Sequence, residues 1–471
     1  MRQGRGLVLA WAIGLAGAGT SAGVQAESLA DVMVEAWRNS PELAQQNAQV
    51  KVASERAAQA RAGGRPTVTG QFGVDVEKQN APLPAFGTST DEFSDEQFPT
   101  TLQLNIDQPL YTGGQVANRT SAEERRISAE EAVLIATEQQ VLLQAVTAFT
   151  DVRRDIFLLE VAENNVRVLQ EQLRAARERF AVGEVTRTDV EQARARLAAA
   201  RSRLAAADGQ LEISRENFAD TVGRPPQDLD PPPPLPDLPD ALESAVQLAA
   251  ENEPTLLAAR IEREAAGFDV RAAIGRLLPQ LSLTARASQF DEIDDDLIGR
   301  RTVAAGLNLT IPFYTGGRNY SLVRQAQAQA EVASAAITNE MRDAIRAVGV
   351  AWSQIKVARA SIEAGKQEVR AAELAFEGVT EEAKVGARTT LDVLDAEEEV
   401  LNARADLIVA QRNEYVAGYQ LLAAIGKLTV GHLGLETETE RLATGYYASV
   451  RDRYFGYDET DDTVWSLPYR P

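Results

Sequence analysis

The chain has 471 residues, no cysteine and a formal net charge of −21 at pH 7. The lack of cysteine excludes a disulfide framework and a thiolate metal site. The negative charge argues against a nucleic-acid partner, because phosphate binding needs a basic face. The single histidine, His432, has no carboxylate cluster beside it in the sequence. We therefore expect a surface histidine and predict no catalytic residue, no metal and no cofactor.

Residues 1–26 have the composition of a secretory signal peptide. Arg2 and Arg5 precede a short apolar stretch at 7–15, and small residues lead to Ala26. A single membrane anchor is the alternative, but the apolar run is short and rich in glycine. The mature chain is predicted to begin near Glu27. No later segment offers the roughly 18 consecutive apolar residues that a spanning helix needs.

The remainder consists of two copies of one unit. Tyr-Thr-Gly-Gly at 111–114 recurs at 314–317, 203 positions further on, whereas upstream matches are 213 apart. The first copy thus carries ten extra residues between Pro66 and Pro109. A repeat this long indicates two copies of a structural unit rather than a short solenoid period. We predict a first repeat at 27–224, a stiff proline-rich linker at 225–239, a second repeat at 240–428 and a tail at 429–471.

Each copy contains a predicted strand hairpin, at 67–107 and 280–311. Apolar and polar residues alternate there, as in Leu102, Leu104 and Ile106 against Gln103 and Asn105. Strands of roughly ten residues can cross an outer membrane when tilted. The alternation alone leaves a soluble sheet with one wet face equally open. Acidic residues near the hairpin ends are expected in external loops: Asp91, Glu92, Asp95, Glu96, Asp291, Glu292, Asp294, Asp295 and Asp296.

Long helices follow the hairpins. Apolar residues at steps of three, four or seven predict helices over 115–182 and 318–385, each about 100 Å long at 1.5 Å per residue. Return helices are predicted at 188–222 and 391–425, and a further helix near 42–62 precedes the first hairpin. Each copy can therefore build an antiparallel pair, one member continuous and the other made of two pieces. The apolar stripes must pack on neighbours.

A glycine turn separates each long helix from its return helix. Gly183 and Gly386 supply the residue that ends the first helix, and hydroxyl and carboxylate side chains then suit the start of the next. Either turn alone is an ordinary hairpin turn. The same turn in both copies indicates a symmetric tip that meets another structure.

This order of motifs resembles the TolC-like outer-membrane efflux proteins over about residues 29–428. The resemblance implies a mainly α protein with β-structure: a homotrimer in which each chain gives four strands to one twelve-stranded outer-membrane barrel, continuous with a periplasmic α-helical barrel. Open strand edges are not tolerated in lipid, so four strands must be pooled between chains. The number three comes from the resemblance alone, as does the expectation that the tail belongs to an equatorial belt.

The implied function is an exit duct of a tripartite export system in the outer membrane of a Gram-negative bacterium. Its implied partners are outer-membrane lipid, a periplasmic adaptor and an inner-membrane ABC or proton-driven transporter. Protein secretion by a type I system and small-molecule efflux both remain open. The alternative from another class is a periplasmic coiled-coil adaptor, which the four strands disfavour. The residues support no enzyme.

The resemblance also implies roles at the tips. The family's motif places acidic aperture residues at Asp392 and Asp395, where a solvated helix face with Asp392 as a cap is the simpler alternative. Ala383 replaces a tyrosine of the family's lock, so the lock is weaker or differently built here. The lock positions are Arg388, Thr188 and Asp189. The tips expected to contact the adaptor are Val182, Gly183, Val385 and Gly386.

Overall fold

The computed structural model describes residues 27–82, 92–97, 99–292, 299–435 and 443–455. The predicted signal peptide and the end of the predicted tail lie outside these ranges. In chain order the elements are α1 (Leu29–Asn39), α2 (Pro41–Ala62), β1 (Thr67–Val74), β2 (Glu77–Pro82), β3 (Glu92–Gln97), β4 (Pro99–Tyr111), α3 (Gln115–Ala181), α4 (Arg187–Val222), α5 (Leu242–Asn252), α6 (Pro254–Gly275), β5 (Gln280–Glu292), β6 (Arg300–Thr310), α7 (Arg318–Lys384), α8 (Thr390–Ala424), α9 (Val430–Leu433) and α10 (Tyr446–Val450).

The two longest helices, α3 and α7, each contain 67 residues, or about 100 Å of helix. Each begins after a glycine in the left-handed region, Gly114 or Gly317. Helix α3 packs against α4, and α7 packs against α8. Helix α2 also packs on α3, with Gln46 donating to Glu130, while α4 covers a later part of α3. One continuous helix is thus paired with two shorter ones.

The middle of α3 forms the largest core. One stretch of α3 has a mean hydropathy of 1.3, high enough for a membrane span, but 56% of it is buried inside the protein. Its fully buried residues include Leu142, Val146 and Phe149, which share a cluster with Phe218 of α4 and Leu421 of α8. The apolar stretch therefore belongs to the protein core.

Four strands form one antiparallel sheet in the order β1-β4-β5-β6. Its register aligns apolar residues across the repeats: Val68 pairs with Ile106, Ile106 with Ala285, and Ala285 with Ala305. Apolar side chains on this face, including Val68, Leu104 and Leu307, are exposed in the single chain. Polar groups line the other face, where Asn105 accepts hydrogen bonds from Gln103 and Arg286. Strands β1 and β6 are the two edges.

A second hairpin, β2–β3, lies between β1 and β4, within the residues of the predicted hairpin at 67–107. Its ladder pairs Gln79 with Asp95. The loop assignment was wrong for Glu92, Asp95 and Glu96, which lie in β3, and for Asp291 and Glu292, which end β5; Asp91 and Asp294–Asp296 lie outside the described residues. Backbone pairing needs no apolar side chains, so a hairpin of polar residues escapes a search for alternating hydrophobicity.

Glu27, the proline-rich linker and the described segment after α8 pack around the bundle. Glu27 bridges to the linker at Leu229, and Arg224 pairs with both Glu27 and Glu35. The segment after α8 then runs along α2: Tyr446 donates to Glu55, and Arg65 donates to the carbonyl of Arg451.

Glu138 anchors this segment to the core. Its buried carboxylate accepts hydrogen bonds from the Trp37 indole at 3.4 Å and from the Val430 amide at 2.8 Å. Burial raises the pKa of Glu138 above its usual value.

We expect Glu138→Leu to lower the free energy of unfolding by about 1–3 kcal/mol, because two buried donors lose their acceptor. Glu138→Gln keeps an acceptor oxygen and is expected to cost less. Thermal unfolding of the purified protein, followed by circular dichroism, compares the two. Equal losses would contradict this role for the carboxylate.

Candidate functional site

The ends of the α3–α4 and α7–α8 hairpins have the same turn. At the first tip the Gly183 amide donates to the Phe180 carbonyl at 3.1 Å, and the Glu184 amide donates to the Arg179 carbonyl at 2.9 Å. At the second, Gly386 and Ala387 make the equivalent bonds at 3.1 and 3.0 Å. Gly183 and Gly386 have φ of 80° and 79°. This is the Schellman arrangement, in which a left-handed glycine ends the helix.

A capping box then starts each return helix. The carboxylate of Asp189 accepts from the amide and hydroxyl of Thr186, both at 2.8 Å. Asp392 does the same for Thr389 at 2.9 and 2.8 Å. The hydrogen bonds from Thr389, together with the charge of Arg388, hold the pKa of Asp392 below its usual value. Asp392 is therefore ionised near neutral pH and completes the capping box at the start of α8.

The tips present apolar side chains to solvent. Val182 is 71% exposed and Val385 is 81% exposed. Apart from the adjacent residues, no atom of the described chain would lie within 4 Å of a Cβ placed on Gly183 or Gly386. Both glycines are thus required by their backbone conformation, and the surface around them is open.

The predicted lock residues do not meet within one chain. The Arg388 Nε donates to Glu382 at 2.8 Å, so this arginine ties the turn to the end of its own helix. Thr188 and Asp189 lie in the first turn of α4. Among the described residues, no hydrogen bond or ion pair joins Arg388 to either of them.

Asp395 is instead paired with the first repeat. Arg196 of α4 donates to Asp395 of α8 at 2.6 Å and also pairs with Glu398. Arg203 donates to Glu398 at 2.6 Å and is the main cause of the lowered pKa of that carboxyl group. These contacts join the two return helices near the tip. The signal was present in the sequence, since α4 has arginines where α8 has carboxylates.

Glu397, which no sequence motif indicated, lies beside this ion-pair network. It is only 6% exposed, and its Oε2 has no hydrogen-bond partner among residues 27–82, 92–97, 99–292, 299–435 and 443–455. Burial raises the pKa of Glu397 from 4.5 to about 7. Among the described residues, no group of three or more His, Asp or Glu side chains is arranged to hold a metal ion.

Comparisons with known proteins define the class. The sequence model of the outer membrane efflux protein family matches residues 32–224 and 245–427, one match for each repeat. The chain therefore belongs to this family.

Particular relatives agree. The chain is 35% identical over 437 residues to the outer membrane efflux protein BepC of Brucella suis, covering 92% of this chain and 93% of BepC. It is 27% identical to the outer membrane protein TolC of Escherichia coli, covering 88% and 85% of the two chains. The fold is similar to the Campylobacter jejuni CmeC outer membrane channel, with a TM-score of 0.75 at 17% identity over 90% of this chain and 89% of that one.

The protein is thus an outer-membrane exit duct for efflux or type I secretion in a Gram-negative bacterium, with a large periplasmic helical part. This confirms the predicted family, fold class and location. It decides against a periplasmic coiled-coil adaptor. The family consists of transport proteins rather than enzymes.

We expect Arg196→Ala to loosen the start of α8 while lowering the global free energy of unfolding by less than about 1 kcal/mol, because exposed ion pairs contribute little. Hydrogen exchange of α8 measures the loosening. Arg194→Ala is the matched control, since Arg194 pairs with Glu191 of its own helix at 3.6 Å. Equal exchange in both variants would refute the link between the return helices.

Proposed function

We propose that three copies of this chain form one duct whose entrance is gated by the hairpin tips. The observation that carries the proposal is a difference between equivalent positions of α3 and α7. Leu142 is 0% exposed, but its counterpart Ile345 is 44% exposed. Ala129 is 8% exposed, but Val332 is 70% exposed. An apolar face that is covered in one repeat is thus open in the other.

Helix α3 shows which helices would pack on the exposed face of α7. Helix α3 packs against α2 and α4 of its own repeat and against α6 and α8 of the second. Helix α7 packs against α6 and α8 but has no such partners from a following repeat among the described residues. Helices α2 and α4 of a neighbouring copy would supply them. A duplicated chain in a closed ring gives quasi-equivalent contacts at every junction.

One pair of glycines supports the same arrangement. A Cβ on Gly113 would lie 2.4 Å from the Gly275 carbonyl, so α6 approaches the start of α3 closely. The counterpart of Gly113 is Gly316, which has nothing within 4 Å in the single chain. The counterpart of Gly275 is Ala62, at the end of α2. In a ring, α2 of the next copy would end against Gly316.

The sheet requires such an assembly. Its edge strands β1 and β6 carry backbone groups that lipid cannot satisfy, so the sheet must close with strands from other copies. Family members are trimeric channels, and three copies of the four-stranded sheet would make a twelve-stranded barrel. The exposed apolar face would then contact lipid.

The gate is proposed at the tips. Asp392 and Asp395 of three chains would place carboxylates around the entrance and favour cations over anions there. Pairing with Arg196 reduces the free charge of Asp395, so Asp392 would supply most of the field. Arg388 holds Glu382 through Nε, and its Nη groups remain suited to contact Thr188 and Asp189 of an adjacent hairpin.

The tips also suit a protein partner. We assign Val182, Gly183, Val385 and Gly386 to contact with a periplasmic adaptor, because exposed valines on a rigid turn offer an apolar knob. An inner-membrane transporter, either ABC-type or proton-driven, would complete the export system, as in the family's trimeric channels.

Arg388→Ala and Asp392→Asn are each expected to raise single-channel conductance several-fold in planar bilayers, because each weakens the closed entrance. Asparagine keeps an oxygen for the cap, so only the charge is lost. Asp392→Glu keeps charge and cap and is the control, with wild-type conductance expected. Unchanged conductance in both test variants would contradict the proposal that the hairpin tips form the gate.

Val385→Glu is expected to abolish export, because it places a carboxylate in the apolar adaptor contact, while trimer formation and membrane insertion stay normal. Val385→Ile keeps an apolar side chain and is expected to export normally. Antibiotic sensitivity of a complemented strain and the heat-modifiable trimer band on gels measure the two properties. Loss of the trimer in Val385→Glu would show that the residue is structural.

A further inference from the structure

The seam between α8 and the α3–α4 hairpin contains a small cavity of about 20 Å³. Helix α3 contributes Asn165 and Leu169, and α4 contributes two alanines and two arginines. From α8 come Leu394, Glu397 and Glu398. The volume admits about one water molecule. Leu394 belongs to the same apolar cluster as Leu169 and Leu197, so α8 packs against the first repeat here, near the tip, as it also does in the middle of the bundle.

Of the two carboxyl groups in the lining, Glu398 is paired with arginines, whereas Glu397 has no ion-pair partner among the described residues. The charged groups facing it are Arg196 and Arg203 from α4 and Glu398 from α8, while the lining residues of α3 are uncharged. Both arginines are bound by Glu398, and Arg196 also by Asp395. The Oε2 of Glu397 is buried and has no hydrogen-bond partner in the part of the chain that the structure describes. A buried carboxylate in this position is costly, whereas a neutral carboxylic acid is tolerated.

We propose that Glu397 is a gating residue: its protonated form keeps α8 packed on the α3–α4 hairpin, and its ionisation loosens this seam and favours an open entrance. The proposal rests on the tip being the gate, as proposed above. It differs from the acidic aperture, because Glu397 lies in the seam between helices and acts through packing. Asp392 does not compete in the same pH range, since its pKa is lowered.

The sign of the pH effect follows from burial. Burial in the closed seam raises the pKa of Glu397 from 4.5 to about 7. If opening exposes the side chain to water, its pKa returns toward the lower value. Below that value both states are protonated and pH has no effect. Between the two values the open state releases its proton first, so opening is favoured progressively as pH rises. Above about 7 both states are ionised and the effect is constant.

The test is the open probability of the full-length channel in planar bilayers between pH 5 and pH 8. We expect the wild type to open several-fold more as pH rises to about 7 and then to level off. Glu397→Gln and Glu397→Met are expected to stay at the low level throughout, because neither can ionise; methionine also fills the site without a buried amide. Glu399→Gln is the matched control, because Glu399 is exposed on the same helix and is expected to retain the rise.

Two different failures can be told apart. The role of Glu397 would be overturned if the open probability still rose with pH in both Glu397 variants, or if it did not rise in the wild type. This holds even where Arg388→Ala opens the channel. If Arg388→Ala and Asp392→Asn leave the conductance unchanged, the tip is not the gate, and the role of Glu397 falls with it.

Discussion

One constraint governs this molecule: in lipid, every backbone N–H and C=O group must have a hydrogen-bond partner. A four-stranded sheet with the edges β1 and β6 cannot meet it alone. The register places exposed apolar side chains on one face and polar side chains on the other, which suits a wall between lipid and water. The central pair, β4 and β5, joins the two repeats, so the sheet is continuous across the duplication. The long helices α3 and α7 follow β4 and β6 at equivalent positions of the two repeats, so they need equivalent neighbours. Helix α3 has these neighbours within the chain, whereas α7 leaves the corresponding face open.

The two repeats share the residues that form their turns and helix caps, but they differ in the charged residues at equivalent positions. Both tips use a left-handed glycine followed by a threonine–aspartate capping box, since only a few residue types can make these turns. By contrast, Asp395 corresponds to Gln192, and Arg388 to Val185. Arg196 and Arg203 correspond to Glu399 and Asp406. Helix α4 is therefore basic where α8 is acidic. Two return helices with identical charges would repel each other or form no ion pairs, whereas α4 and α8 form ion pairs across the seam.

Local chemistry explains which predictions from sequence succeeded. Helix α3 begins at the predicted residue and ends within one residue of the predicted end, because Gly114 and Gly183 act on their own neighbours. The strand alternation likewise identified the sheet. The hairpin β2–β3 was missed because its polar residues give no periodic signal. The pairing of Asp395 with Arg196 joins residues far apart in the chain, and the burial of Glu397 depends on how three helices meet. Neither can be read from the spacing of residues on one helix, although the complementary charges of α4 and α8 pointed to the pairing.

The uneven distribution of the core explains why the tip is the part suited to move. Around the middle of the bundle, large side chains such as Phe149, Phe218 and Leu421 are fully buried in one cluster. Toward the tip, α8 is held by Leu394, Val400 and a few alanines, and by exposed ion pairs. Each exposed ion pair contributes little to stability. Regions with few buried apolar contacts open at low free-energy cost. A single ionisable group in that seam therefore has more influence on the closed state than the same group would have in the middle of the bundle. Glu397 lies in this seam, where few large apolar side chains hold α8 against the first repeat.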